Sequence, residues 1–243
     1  MLLALAAFTG SAIQAAFGFG FAILAAPVFL VVMNSGGAVP VLAVLNFAVS
    51  FAVALLVWRK TPLRLFASLA LGSVAGVPIG LGLFHSASVA ELKLAVGIVI
   101  MSFALLLLAR ERGYVTVLMG AGRPSRAGPL VAGLLSGVMG VAIAMPGPAA
   151  MLYLSTLRLP KEESRAVSLV LFSFSYALIS GVHTASGGLG ARDLPLIGEL
   201  MLFVLAGAFA GQRLAPRIAE THFRVLVLLI LFLAGVFAVV ASL

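Results

Sequence analysis

Two glycine-rich interruptions inside long apolar runs decide how this chain folds: GSAIQAAFGFGFAILAAP at Gly10–Pro27 and GLLSGVMGVAIAMPGP at Gly133–Pro148. They lie in the apolar runs 2–33 and 127–157, respectively. A helix of about 32 residues would be roughly 48 Å long, whereas the hydrocarbon core is about 30 Å thick and two full crossings need about 40 residues. Each run therefore predicts two half-helices that enter the bilayer and return to the same side. The predicted turns are Phe19–Phe21 and Met145–Pro148.

The amino-acid composition indicates that the chain folds in a lipid bilayer rather than in water. Hydrophobic residues make up 63% and charged residues 9%, and the mean hydropathy is +1.26, which excludes a soluble globular domain. The net charge of +8 lies in short clusters between apolar runs, as in loops at a membrane face. The lipid bilayer is therefore the expected partner, and nucleic acid is not. The chain has no cysteine, which excludes thiolate metal sites, and no cofactor is expected.

The remaining apolar segments divide into two similar halves. AVLNFAVSF at Ala43–Phe51 aligns with AVSLVLFSF at Ala166–Phe174. We predict an all-α integral membrane protein of two inverted repeats, each a re-entrant hairpin followed by three transmembrane helices. The first repeat, 1–110, holds the hairpin 2–33 and helices at 38–58, 65–84 and 90–109. A basic cytoplasmic linker, 111–126, follows. The second repeat, 127–243, holds the hairpin 127–157 and helices at 166–183, 194–211 and 222–243.

Loop charges favour this topology over eight full crossings. If all eight segments cross, eight of the fifteen Lys and Arg residues fall on one side and seven on the other. If 2–33 and 127–157 are re-entrant, thirteen fall on one side and only Lys93 and Arg192 on the other. The second arrangement shows the basic bias of cytoplasmic loops. It predicts a multi-pass protein of the cytoplasmic (inner) membrane with both termini outside and with inverted halves.

A helix that ends in mid-membrane presents unpaired N–H groups and the positive end of its dipole, so the two breaks predict a site for a small anion. Small polar side chains supply further hydrogen-bond donors, and the residues of the two turns form the wall of the site. The candidate substrate-binding residues are Gln14, Phe19, Gly20, Asn46, Ser50, Ser136, Met145, Pro146, Gly147 and Ser173. The alternatives are that the glycines serve close helix packing and that each serine bonds to its own helix. Gln14 and Asn46 stand out because a primary amide in hydrocarbon needs a partner.

Glu199 is the acidic residue deepest within an apolar segment, in LPLIGELMLFVLAG. A central charge costs about 2.5–3.5 kcal/mol on insertion scales, which makes Glu199 a candidate for proton coupling. The alternative is a place near the outer interface, because the helix-start pattern Asp193–Pro195 precedes it by about one turn. A proton or another ion is thus a candidate coupling partner.

The chain resembles the sulfite exporter TauE/SafE family of membrane transporters over nearly its whole length. The likeness rests on GSAIQAAFGFGFAILAAPVFLVV, on GLLSGVMGVAIAMPGPAAMLYLSTLRLPKEESRAVSLVLFSFSYALIS, and on the GVPIG and GAFAG helices. The resemblance implies movement of sulfite, sulfonates or related organic anions across the cytoplasmic membrane. Together with the paired breaks, it favours a secondary transporter that works by alternating access.

Two other classes of function compete with a transporter. An intramembrane enzyme would need a nucleophile with a base, or a metal cluster, and the sequence has no His-x-x-x-His motif or Ser/His/Asp constellation. The chain is therefore not expected to be an enzyme. A non-transporting membrane assembly or lipid-binding subunit stays open, because the same glycines would serve packing alone.

Overall fold

The computed structural model describes residues 1–111, 127–157, 159–214 and 236–237. Over these residues the chain is helical and has no strand. Its α-helices are α1 (Leu2–Phe17), α2 (Phe21–Met33), α3 (Ala38–Val57), α4 (Leu63–Ser86), α5 (Val89–Glu111), α6 (Gly128–Ile143), α7 (Gly147–Thr156), α8 (Lys161–Ala185) and α9 (Leu194–Leu214). The predicted linker 111–126, beyond Glu111, and the predicted helix 222–243, apart from 236–237, lie outside the described residues.

Five of these helical stretches are long and apolar enough to cross a bilayer. They are Ala38–Lys60, Leu63–Ser86, Val89–Leu106, Glu162–Ala185 and Ala191–Arg213. Large apolar side chains such as Leu71, Leu202 and Phe209 point outward and are at least 60% exposed, which suits contact with lipid rather than water. The chain is therefore an all-α integral membrane protein, as its composition predicts.

The first long apolar run is broken at Gly18–Gly20, where the backbone takes conformations that suit glycine. Gly18 ends α1 with a φ of 88° and donates its N–H to the carbonyl oxygen of Gln14. Gly20 has a φ of 121°, and a Cβ placed on it would lie 2.7 Å from Ile13 Cγ2. Phe21 is already the first residue of α2, so the turn begins one residue earlier than Phe19–Phe21.

The turn in the second run begins one residue earlier and ends two residues earlier than the predicted Met145–Pro148. Ala144 takes a left-handed conformation with a φ of 55° and donates its N–H to the carbonyl oxygen of Gly140 at 2.8 Å. The next helix already begins at Gly147, with Pro148 as its second residue rather than its first. Proline fits there because its missing N–H is one of the four that have no partner within a helix.

Glycines also bring two pairs of helices into direct backbone contact, in what we call the glycine seams. In the first seam, Gly76 of α4 faces α6, and a Cβ placed on it would lie 2.3 Å from the Leu134 carbonyl oxygen. Gly137 of α6 faces α4, and a Cβ on it would lie 2.0 Å from the Ser73 carbonyl oxygen. In the second seam, a Cβ on Gly211 of α9 would lie 2.0 Å from the carbonyl oxygen of Ala12 in α1. Packing thus explains these glycines.

Helix α8 begins at Lys161, five residues before the predicted start at 166. Pro160 precedes it in a non-helical conformation, with a φ of −53° and a ψ of 144°, and Glu162 and Glu163 lie in its first turn. Carboxylates near the positive end of a helix favour helix formation even where the sequence is polar. The added turn places Arg165 within the helix instead of in a loop.

The variant Gly20→Ala is expected to destabilise the protein by about 1–3 kcal/mol, because an alanine would be held in a sparsely populated backbone conformation. Gly18→Ala should cost less, since its φ of 88° and ψ of 0° lie nearer the left-handed helical region. The midpoint of thermal unfolding in detergent measures both. Gly198→Ala is the control, because no atom of a neighbouring residue lies within 4 Å of a Cβ placed there. Equal midpoints for Gly20→Ala and Gly198→Ala would contradict the strained turn.

Candidate functional site

The two turns meet at one small cavity inside the helical bundle. Its free volume is about 10 Å³, which is about what one water molecule needs. The cavity is lined by Gln14, Phe19, Gly20, Ala22, Ile23, Phe103, Met145, Gly147, Pro148, Met151, Phe172 and Tyr176. None of these side chains is charged, so the polarity of the cavity comes from backbone, amide and hydroxyl groups.

The N-terminal turns of two helices form part of the cavity wall. The first turn of α2 contributes Ala22 and Ile23, and that of α7 contributes Gly147 and Pro148. The first N–H groups of a helix have no partner within it and lie at the positive end of its dipole. Two such ends at one cavity make its electrostatic environment favourable for an anion.

Gln14 fixes the first turn and connects it to α3. Its Oε1 accepts a hydrogen bond from the Phe21 N–H at 3.2 Å, and its Nε2 donates to Asn46 Oδ1 and, at 2.7 Å, to Ser50 Oγ. All three side chains are buried. Gln14 itself lines the cavity, whereas Asn46 and Ser50 support it from behind. The three predicted polar residues of the first half thus form one network.

The network has one unused donor. Asn46 Nδ2 is buried and makes no hydrogen bond of regular geometry, although the Tyr176 side chain lies close to the Asn46 amide. Tyr176 lines the cavity, and its hydroxyl donates to the Ala144 carbonyl oxygen at 3.1 Å, which ties α8 to the second turn. A buried amide N–H without a partner is costly unless a ligand or a water molecule accepts a hydrogen bond from it.

The other predicted site residues fall into two groups. Phe19, Gly20, Met145 and Gly147 line the cavity together with Gln14. The Ser136 hydroxyl instead donates to the carbonyl oxygen of Pro146 at 2.7 Å, and this bond holds the second turn together.

Ser173 and Glu199 are not among the residues that line the cavity. Ser173 is half-buried on α8, and Glu199 lies exposed on α9, in its second turn. Neither position brings the side chain into the network around Gln14. The structure therefore brings the predicted polar residues together mainly in the first half of the chain.

Several wall residues carry no distinctive signal in the sequence. Phe103 meets Phe19 edge to face with ring centroids 6.4 Å apart, and Phe172 meets Tyr176 at the same centroid distance. Phenylalanines and Met151 in apolar helices resemble ordinary core or lipid-facing residues. Tyr176 could have been found, because a tyrosine inside a full-length apolar segment needs a partner for its hydroxyl.

Comparison with known proteins matches residues 2–238 to the family described as Sulfite exporter TauE/SafE. The chain belongs to the TauE/SafE family. No significant match was found among curated proteins or among solved structures. TauE/SafE proteins are membrane transporters of sulfite or related anions and are not enzymes. The resemblance drawn from the glycine-rich segments is therefore confirmed, and an uncharged cavity with two positive helix ends is chemically suited to a TauE/SafE substrate.

Proposed function

We propose that this protein is a secondary transporter that moves a small anion, sulfite or an organosulfonate or related organic anion, across the cytoplasmic membrane by alternating access. The observation that carries the proposal is the meeting of the α2 and α7 N-terminal ends at one cavity beside Gln14. The helix ends attract the anion, and the amide and hydroxyl groups orient it without a charged side chain on the cavity wall.

Two inverted repeats, 1–110 and 127–243, are the arrangement that we propose for the chain. The packing of equivalent helices supports it. Helix α4 of the first half packs along α6 of the second, and α9, the equivalent of α4, packs along α1, the equivalent of α6. Helices α3 and α8, which contain the aligned segments, pack against each other. The charge bias supports cytoplasmic placement of the face that carries Arg59 and Lys60.

The size of the cavity supports a moving mechanism rather than a fixed pore. A volume of about 10 Å³ holds about one water, whereas sulfite has four heavy atoms. Substrate entry therefore requires the two hairpin tips to separate. The hairpin α1–α2 and the hairpin α6–α7 are the parts that we expect to move, each toward one face of the membrane.

Flux through purified protein in liposomes tests this function. We expect sulfite or an alkyl sulfonate to cross at least tenfold faster than in protein-free vesicles, with simple carboxylates compared in parallel. Ser173→Ala, outside the cavity wall, serves as a control that should keep the flux. If no anion crosses faster than in empty vesicles under any gradient, a non-transporting assembly is the better assignment.

The same vesicles test the coupling role assigned to Glu199. If Glu199 couples transport to protons, Glu199→Gln should lose the flux driven by a pH gradient and keep anion exchange at equal pH. Glu199 is exposed on α9 and does not line the cavity. A change in pH-driven flux would therefore reflect coupling rather than loss of substrate binding. Unchanged pH-driven flux would remove Glu199 from the mechanism.

A further inference from the structure

Helix α8 reaches the tips of both hairpins, one from each of its ends. Near its start, Arg165 Nη2 donates a hydrogen bond to the Ala15 carbonyl oxygen at 2.7 Å. Near its other end, His183 Nε2 lies 3.0 Å from the Val141 carbonyl oxygen, and this contact requires a proton on Nε2 because a carbonyl oxygen only accepts. The α-carbons of the two residues are roughly 27 Å apart along the helix axis, close to the thickness of the hydrocarbon core.

The two acceptors occupy the same place in their helices. Ala15 is the third residue from the end of α1, and Val141 is the third from the end of α6. The last carbonyl groups of a helix lack a helical partner and lie at the negative end of its dipole. Arg165 and His183 thus bind the negative ends of the two half-helices that run up to the cavity.

Both side chains also pack closely against other parts of the same chain. The stem of Arg165 covers the first turn, since a Cβ placed on Gly18 would lie 3.1 Å from Arg165 Cγ. His183 is fully buried, and its ring meets Phe84 edge to face at a centroid distance of 4.5 Å. Cavity-lining residues follow each acceptor within a few positions, so a displaced tip would expose the cavity.

Building on the proposed function, we propose that these two contacts are the gates of the transport path and that α8 links them. Loss of the Arg165–Ala15 bond frees the first tip and opens the cavity toward the face that carries Lys60 and Glu162. Loss of the His183–Val141 bond frees the second tip and opens the cavity toward the opposite face. His183 acts only through its hairpin tip, as a positioning residue, whereas Arg165 holds its tip and also meets the arriving anion.

The guanidinium of Arg165 also offers a route for the substrate to open its gate. Its Nε is buried without a hydrogen-bond partner while Nη2 binds Ala15. A half-buried cation inside a membrane segment is rare unless it is paired or lies on an ion path. An anion that arrives from the Lys60 face binds this guanidinium in competition with the carbonyl oxygen and so releases the tip.

Cysteine labelling measures which face each gate controls. The chain has no cysteine of its own, so Ala22→Cys places a single thiol on the cavity wall. A membrane-impermeant maleimide is added to either face of oriented vesicles. We expect Arg165→Gln to raise the labelling rate from the Lys60 face at least tenfold, and His183→Leu to do the same from the opposite face only. Arg59→Gln and His85→Leu are the matched controls, because both residues are exposed near these two ends and should leave the rates unchanged.

Conservative variants separate gating from a general loss of structure. His183→Gln keeps an N–H donor and should restore slow labelling, whereas Arg165→Lys keeps the charge without the planar fork and should open the gate several-fold. If the labelling rate does not change, or if it rises equally from both faces in folded protein, the two contacts are not gates. Since labelling needs no transport, vesicles that show side-selective labelling without flux would contradict the proposed function instead.

Discussion

Replacing Gly76 by alanine is expected to destabilise the folded protein strongly and to lower its yield. The new Cβ would lie 2.3 Å from the Leu134 carbonyl oxygen and 2.8 Å from the Val138 nitrogen, and both are backbone atoms of α6. No rotamer change relieves such a contact, so α4 and α6 must move apart along the first glycine seam. We expect a loss of about 3 kcal/mol or more, against a typical total stability of about 5–15 kcal/mol.

Gly82→Ala on the same helix is the matched control, because no atom of a neighbouring residue lies within 4 Å of a Cβ placed there. Alanine is the better helix former, so this variant should be unchanged or more stable by about 0.5–1 kcal/mol. The yield of monodisperse protein in detergent and the midpoint of its thermal unfolding measure both variants. Similar yields for Gly76→Ala and Gly82→Ala would contradict direct backbone contact in the seam.

The second large effect is expected for Gln14→Glu, which should keep the fold and reduce anion flux at least tenfold at neutral pH. The carboxylate can still accept the hydrogen bond from the Phe21 N–H, and the Ser50 hydroxyl can turn to donate to it. An ionised carboxylate on the cavity wall repels the anion, however. Two like charges 4 Å apart repel by about 4 kcal/mol at an effective dielectric constant of 20.

Liposome flux of Gln14→Glu is compared with that of Ser173→Ala, after both have been matched for yield and unfolding midpoint. A folded Gln14→Glu protein with the flux of the parent would show that the anion does not pass beside Gln14. Reduced flux at neutral pH with recovery in acid, where the carboxylate becomes neutral, would support electrostatic repulsion as the cause.

The fold was largely predictable because the bilayer imposes strict lengths on helices. Apolar runs near 20 residues predict crossings, and described helices such as α4 extend only about two residues beyond the predicted bounds. The apolar segment alone places the start of α8 at 166 rather than at Lys161, because hydropathy does not register a polar first turn that is stabilised by Glu162 and Glu163. The second turn begins before the predicted Met145–Pro148 because Ala144, a non-glycine residue, takes the left-handed conformation that ends α6, and no local pattern indicates this.

The site was predictable where chemistry demanded a partner. Gln14 and Asn46 could be selected because amides are rarely left unpaired in hydrocarbon, and the structure joins them directly. Ser136 could equally bind a ligand or the backbone, and only the geometry of the hairpin shows its bond to Pro146. Phe103 and Arg165 depend on how separate helices meet, which no local pattern specifies.

The glycine seams join the two halves of the chain rather than elements within one half. Gly76 of the first half lies against α6 of the second, and Gly211 of the second half lies against α1 of the first. A half-length chain would therefore leave one hairpin surface and one glycine-lined helix uncovered, and an antiparallel second copy would cover both. On the proposed inverted repeat, each half of the chain therefore covers the surface that the other half leaves open.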